Sequence, residues 1–189
     1  MTYLNSNQLK QYSDEGFVSP VNIFSKEKAK EIRDEIELIE KKLPNELEKT
    51  GRYNAHLISP MLDEVTHNEN ILNAVESLIG GNILVCGTTL FIKNPGEGGF
   101  VSYHQDAKYI GLEPHNWVTA WVAITDSNEN NGCMKMWSGS HKDNLKEHDQ
   151  NFNERNLLTR GQTVNNVPDN EIIPLVLDSG QMSLHHPKT

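Results

Sequence analysis

Tyr103-His104-Gln105-Asp106 follows a Gly/Pro-rich break at residues 94–99 (Asn-Pro-Gly-Glu-Gly-Gly). On an extended segment the side chains repeat every second residue, so His104 and Asp106 point to the same side of the chain. With one more histidine from a distant strand, such a pair forms the 2-His-1-carboxylate triad of non-haem Fe(II) oxygenases, which leaves positions open for a co-substrate and O₂. We therefore predict that His104 and Asp106 converge on one metal ion.

The region around this pair is rich in β-branched and aromatic residues. Its composition predicts strands at residues 83–93, 117–125, 133–137, 171–177 and 180–186. The Asn131-Gly132 dipeptide between two apolar runs predicts a hairpin that joins the second of these strands to the third. The polar connection from Lys142 to Asn170 shows no sustained periodicity, which favours a mobile lid.

The N-terminal part has helical patterns instead. A short capped helix is predicted from Ser6, closed by Gly16, and a longer one over residues 26–43 with Ser25 as its N-cap. A third helix is predicted over residues 69–79, before Gly80, whereas residues 47–66 are ambiguous. Helices over about residues 1–80 followed by strands over about 81–189 predict one mainly β, α+β domain spanning residues 1–189.

Composition and charge narrow the function classes. A net charge of −9 argues against a nucleic-acid partner and against an anionic membrane surface. No apolar run has the length of a membrane span, and the N-terminus has no signal-peptide pattern. Cys86 and Cys133 lie in apolar runs, so we expect two buried free thiols and a reducing, cytoplasmic location. The oligomeric state stays open.

Several blocks resemble a known enzyme family in their order along the chain. They are Phe91-Ile92-Lys93-Asn94-Pro95, His104-Gln105-Asp106, Ala120-Trp121-Val122-Ala123, Asn131-Gly132-Cys133-Met134 and Ser138-Gly139-Ser140-His141. From about residue 6 onward the chain is similar to the phytanoyl-CoA dioxygenase family of Fe(II)/2-oxoglutarate-dependent oxygenases. The resemblance implies a double-stranded β-helix (a jelly-roll, cupin-like barrel) preceded by helices. Because Asp106 is present, the chain does not resemble the halogenating members.

The resemblance also implies roles for individual residues. His104 and Asp106 would be catalytic metal ligands for Fe(II), while Lys93 and Trp121 would contact 2-oxoglutarate. The reaction would hydroxylate an aliphatic C–H bond of a small molecule and decarboxylate 2-oxoglutarate to succinate. Candidate substrate contacts are Tyr103, Lys108, Tyr109 and His186.

The C-terminus departs from the family pattern. In the family, the second metal-binding histidine would follow shortly after Thr189, and an arginine for 2-oxoglutarate would come later. We therefore expect a barrel without its C-terminal strands, in which residues 180–186 lack a neighbour. His185 or His186 as the third ligand is an alternative, although only one of two adjacent strand residues faces the interior. A non-redox, metal-binding cupin-like protein and a catalytically inactive truncated barrel are the alternative functions.

Overall fold

The computed structural model describes residues 3–43, 47, 52–150, 152–158 and 162–189. Its helices are α1 (Ser6–Glu15), α2 (Lys26–Lys42), α3 (Pro60–Thr66), α4 (Glu69–Ile79) and α5 (Ala107–Ile110). Its strands are β1 (Phe17–Asn22), β2 (Thr119–Val122), β3 (Lys135–Trp137), β4 (Asp149–Gln150), β5 (Gln162–Thr163), β6 (Ile172–Pro174) and β7 (Gln181–His185). Among these residues no helix is both long and apolar enough to cross a membrane.

The predicted helices are confirmed by the structure. Asn5 caps α1 by accepting hydrogen bonds from two backbone N–H groups, and Gly16 ends the helix with a φ of +84°. Ser25 caps α2 as predicted, and α4 has the predicted bounds. The ambiguous region contains α3, which packs its Leu62 against α2.

Strand β7 is the centre of a three-stranded antiparallel sheet in the order β1-β7-β2. Because side chains alternate along a strand, the two faces of β7 differ. Met182 and Leu184 pack in an apolar cluster with Ile71 and Ala74 of α4. Ser183 and His185 therefore point to the opposite face.

That opposite face meets a second, two-stranded sheet of β3 and β6. Phe17, which lies beside His185 in the register, packs against Met136 of β3 and Leu175 just after β6. The sheets thus enclose a small apolar core on the same side of β7 as His185. This position of His185 matters for the site described below.

Two predictions about strand order are wrong. Residues 17–22 form a strand within the predicted helical part, so helices and strands are not segregated along the chain. Strand β7 has neighbours on both sides, β1 and β2, so it is not the expected unpaired edge. The cause is one long-range pairing, between β1 near the N-terminus and β7 near the C-terminus.

The predicted strand at residues 83–93 is absent from the structure. Within it, Thr89 alone forms an isolated bridge, with Tyr53. Leu84 is 91% exposed, and Cys86 is exposed as well, so the expectation of two buried thiols is wrong for Cys86 and right for Cys133. High strand propensity does not make a strand unless a neighbouring strand supplies hydrogen bonds and packing.

The predicted hairpin is also wrong, although its turn is real. A short 3₁₀ turn at Glu129–Asn131 leads into Gly132, which has a φ of +82°. However, β2 pairs with β7 and β3 pairs with β6, so the strands before and after the turn do not pair with each other. The polar connection contains the short β4–β5 pair, and its mobility stays a prediction.

Candidate metal centre

The segment that carries His104 and Asp106 is held in place by the polar connection. The N–H of Phe100 donates to the carbonyl of Arg155, and the N–H of Val164 donates to the carbonyl of Tyr103 at 2.7 Å. The prediction of a strand-like segment here is wrong, since residues 101–105 form no strand and α5 begins directly after Asp106. The two side chains nevertheless meet.

His104 has its two ring nitrogens in different environments. Nδ1 lies 2.8 Å from the backbone carbonyl of Ser102, which only accepts, so Nδ1 carries a proton. In the neutral ring, Nε2 then presents its lone pair to Asp106 Oδ1, which lies 3.2 Å away. The ring of Tyr109 packs edge-on against this imidazole, with 5.6 Å between centroids. Two electron-pair donors facing each other at this distance leave room for a proton or a cation.

Asp106 uses its other oxygen differently. Thr119 Oγ1 donates to Oδ2 at 2.7 Å, and His185 Nε2 lies 3.3 Å from the same oxygen. Thr119 and His185 are partners in the β2–β7 register, so both side chains reach the carboxylate from one face of the sheet. The sheet therefore positions one half of the carboxylate and the 100–106 segment positions the other.

The charges of the pair reinforce each other. Burial alone raises the pKa of Asp106, but the hydrogen bond and charge of His104, when its ring carries a proton on both nitrogens, and the contact with His185 outweigh burial and hold the pKa well below the ordinary value of 3.8. Burial alone lowers the pKa of His104, but the hydrogen bond and charge of Asp106 outweigh it and raise the pKa above 6.5. The carboxylate is thus ionised at neutral pH, as a metal ligand must be.

Gln105 anchors the segment from between these two residues. It is only 3% exposed. Its side-chain amide donates to the carbonyl of Lys188 at 2.6 Å and accepts from the N–H of Lys146 at 2.7 Å. Its backbone N–H donates to His148 Nε2 at 2.9 Å. Gln105 therefore ties the segment both to the polar connection and to the chain after β7.

The other predicted site residues differ in their relation to this pair. Trp121 lies two residues after Thr119, on the same sheet face, and Tyr109 contacts His104. Lys93 donates to the carbonyl of Gly132 at 2.8 Å. His186 packs against His141 and Tyr12, whereas Tyr103 and Lys108 are exposed. Among the described residues, the side chains of His186, Tyr103 and Lys108 have no contact with His104 or Asp106.

Sequence reasoning missed the roles of Gln105 and Thr119 and gave His185 only as an alternative ligand. Gln105 carries a usable signal, because it lies between the two predicted ligands. Thr119 carries no such signal, since its position at the site follows only from the pairing of β2 with β7.

A surface groove of about 670 Å³ lies beside α3 and α4 and is lined in part by His56, His67 and Leu84. It is separate from the His104–Asp106 site.

The donor set fits a metal ion through two ligands. His104 Nε2 and Asp106 Oδ1 are a nitrogen and an oxygen donor, a combination that suits Fe(II) and similar ions. In the described part of the chain, no three His, Cys, Asp or Glu side chains are arranged to hold a metal ion. This agrees with the arrangement at Asp106, where His185 approaches the oxygen that His104 does not.

The profile of the phytanoyl-CoA dioxygenase (PhyH) family matches residues 12–189. The chain belongs to this family. The predicted resemblance is thereby confirmed over nearly the whole chain, including the His104–Asp106 segment.

Curated relatives share this family. The chain is 28% identical over 208 residues to the peroxisomal phytanoyl-CoA dioxygenase of Rattus norvegicus, covering 97% of this chain and 62% of the relative. It is 32% identical over 122 residues to the human enzyme of the same name, covering 62% of this chain and 36% of that protein. The chain thus spans about three-fifths of the rat relative.

Solved structures have a similar fold. The non-haem monooxygenase ThoJ in its apo form is 28% identical, with a TM-score of 0.82, covering 96% of this chain and 68% of that one. CytC3 with Fe(II) and α-ketoglutarate is 21% identical, with a TM-score of 0.65, covering 98% and 68%. The PhyH chain therefore shares a mixed helix and sheet fold with these two proteins, whereas a closed jelly-roll barrel stays a prediction.

Proposed function

We propose that this PhyH chain carries the metal-binding part of an Fe(II)/2-oxoglutarate-dependent dioxygenase that hydroxylates an aliphatic C–H bond of a small molecule. His104 Nε2 and Asp106 Oδ1 are the proposed iron ligands. The observation that carries the proposal is the 3.2 Å approach of these two atoms, with His104 fixed by the Ser102 carbonyl.

The residues around the two proposed ligands have different roles. The Ser102 carbonyl holds the tautomer of His104 that keeps a lone pair on Nε2, as backbone carbonyls do for other metal-binding histidines. Tyr109 packs against one side of that imidazole, and Gln105 anchors the segment between the two proposed ligands. When bound, the iron supplies the oxidative chemistry and 2-oxoglutarate supplies the electrons for it by decarboxylation to succinate.

Lys93 and Trp121 are the proposed contacts of 2-oxoglutarate. A lysine ammonium pairs with a carboxylate as a point charge, and Lys93 is exposed at its Gly132 contact, so its ammonium is accessible to a ligand. Trp121 lies on the sheet face that carries Thr119 and His185. It is two residues from Thr119, whose hydroxyl donates to the proposed iron ligand Asp106. The similarity to a non-haem monooxygenase supports oxygenation as the reaction class. The substrate contacts Tyr103, Lys108, Tyr109 and His186, and the cytoplasmic location, stay predictions.

The first test is metal binding. Titration of the metal-free protein with Co(II), followed by calorimetry, is expected to give one site in the wild type and none in His104→Ala. His67→Ala is the matched control, because His67 is largely exposed and lies beside the separate groove. Equal Co(II) binding by the wild type and His104→Ala would overturn the proposed site.

The second test concerns the co-substrate. We expect 2-oxoglutarate to bind the Co(II)-loaded protein, and Lys93→Met to weaken that binding about 10-fold or more, as expected for one charge-assisted contact. Lys135→Met on β3 serves as the control for removal of a lysine charge. Metal binding without any 2-oxoglutarate binding would favour the non-redox cupin-like protein, and loss of both would favour the inactive barrel.

A further inference from the structure

Two side chains converge on the oxygen of Asp106 that faces away from His104. Thr119 Oγ1 lies 2.7 Å from Oδ2 and His185 Nε2 lies 3.3 Å from it, while His104 contacts Oδ1. Both come from the central sheet, where they are direct partners of the β2–β7 pair. The His185 side chain is 8% exposed, so this contact is shielded from water.

We propose that Thr119 and His185 are positioning residues, which hold Oδ2 of Asp106 so that Oδ1 alone is presented to the metal. The inference rests on the proposed function. It assigns His185 to the carboxylate and not to the metal, in contrast to the alternative that His185 is the third ligand.

The proton on His185 follows from the charge of its partner. Asp106 Oδ2 is an ionised carboxylate oxygen and only accepts hydrogen bonds, so His185 Nε2 carries the proton between them. A protonated nitrogen has no lone pair for a metal. His185 Nδ1 is buried, and no hydrogen-bond partner for it is found among the described residues. The ring thus has a single polar contact, and that contact is Asp106.

The geometric benefit comes from the symmetry of a carboxylate. A free aspartate rotates about its last side-chain bond, and its two oxygens exchange roles. Two donors on Oδ2, one from each strand, stop this rotation because the strands are themselves fixed by their register. Hydrogen-bond donors that orient a metal-binding carboxylate raise the affinity of the site for its metal.

The experiment measures metal affinity together with the number of coordinated imidazoles. Cu(II) is titrated into wild type, Thr119→Val, Thr119→Ser and His185→Gln, and pulsed EPR of each complex counts the imidazole nitrogens bound to copper. Ser183→Ala is the matched control, because Ser183 lies on the same strand and face as His185, is fully buried, and its hydroxyl has no hydrogen-bond partner among the described residues.

We expect Thr119→Val to weaken Cu(II) binding about 10- to 100-fold and Thr119→Ser to restore most of it, since serine keeps the donor. His185→Gln is expected to weaken binding without changing the number of coordinated imidazoles. Ser183→Ala is expected to bind as the wild type does. Loss of one imidazole signal in His185→Gln would show that His185 is a ligand and overturn the inference, as would wild-type affinity in Thr119→Val.

A metal-free measurement separates this inference from the proposed function. The ¹⁵N shifts of the His185 ring report which nitrogen carries the proton. We expect a proton on Nε2, with its hydrogen-bond signature lost in Asp106→Asn. If copper binding does not depend on His104, the proposed function fails, yet this spectrum still decides whether His185 holds Asp106. A proton on Nδ1 alone would overturn the inference.

Discussion

Replacing Gln105 with alanine is expected to damage both the stability and the metal site of this protein. The side chain is 3% exposed and lies between the two proposed ligands. Truncation removes its hydrogen bonds to the Lys188 carbonyl and the Lys146 N–H, at 2.6 Å and 2.7 Å. The chain after β7 and the polar connection would then lose their common anchor.

The cost can be worked from these contacts. A buried polar group left without a partner costs about 1–3 kcal/mol, and both backbone groups here are half-buried, which places each near the lower end of that range. The lost packing of the side-chain carbons adds roughly 1 kcal/mol. The unfolding free energy should therefore fall by about 2–4 kcal/mol, or about 5–15 °C in Tm for a domain of this size.

Thermal and urea unfolding of the metal-free protein measure this change, and Co(II) titration measures the effect on the site. Gln150→Ala is the control, because Gln150 is an exposed glutamine in the same connection, and a change within about 0.5 kcal/mol is expected there. Gln105→Glu keeps the acceptor for the Lys146 N–H but buries a carboxylate whose second oxygen faces the Lys188 carbonyl, so it should be at least as destabilised as the alanine variant. A Gln105→Ala protein with wild-type stability and wild-type Co(II) affinity would refute the anchoring role.

Three further outcomes are expected. Leu184→Ala, in the fully buried core, should lower the unfolding free energy by about 2–5 kcal/mol in urea, and a smaller loss would show that the core collapses around the gap. In metal-free protein, Asp106→Asn should lose the most stability, relative to the wild type, between pH 3.8 and 6.5. The difference should shrink below pH 3.8 because Asp106 of the wild type becomes protonated, and above pH 6.5 because His104 loses its proton as the pH passes its raised pKa. In hydrogen exchange, the Val164 amide should exchange more slowly than the exposed part of the same connection, and equally fast exchange would show that its bond to the Tyr103 carbonyl does not persist.

The helices were predictable because their signals are local. The capping residue Ser25 and the apolar spacing of α2 lie within the helix itself or next to it, and so does the glycine that ends α4. The turn at Gly132 was predictable for the same reason. None of these features depends on a residue far away in the chain.

The strands were less predictable because each one needs a partner. Residues 83–93 have strong strand propensity, yet the structure gives them one isolated bridge. Residues 17–22 attracted no strand prediction, yet they pair with β7, more than 150 residues away in the sequence. Propensity describes how well a residue fits a pleated surface, and only the folded chain decides whether that surface exists.

The candidate site divides in the same way. The sequence by itself determined the family, the helices and the pair His104–Asp106, because two residues apart in the chain cannot be far apart in space. Only the tertiary structure decided that Thr119 and His185 meet at the second oxygen of Asp106. That contact depends on the register of β2 against β7, which is fixed by the burial of Met182 and Leu184 on the opposite face of the strand.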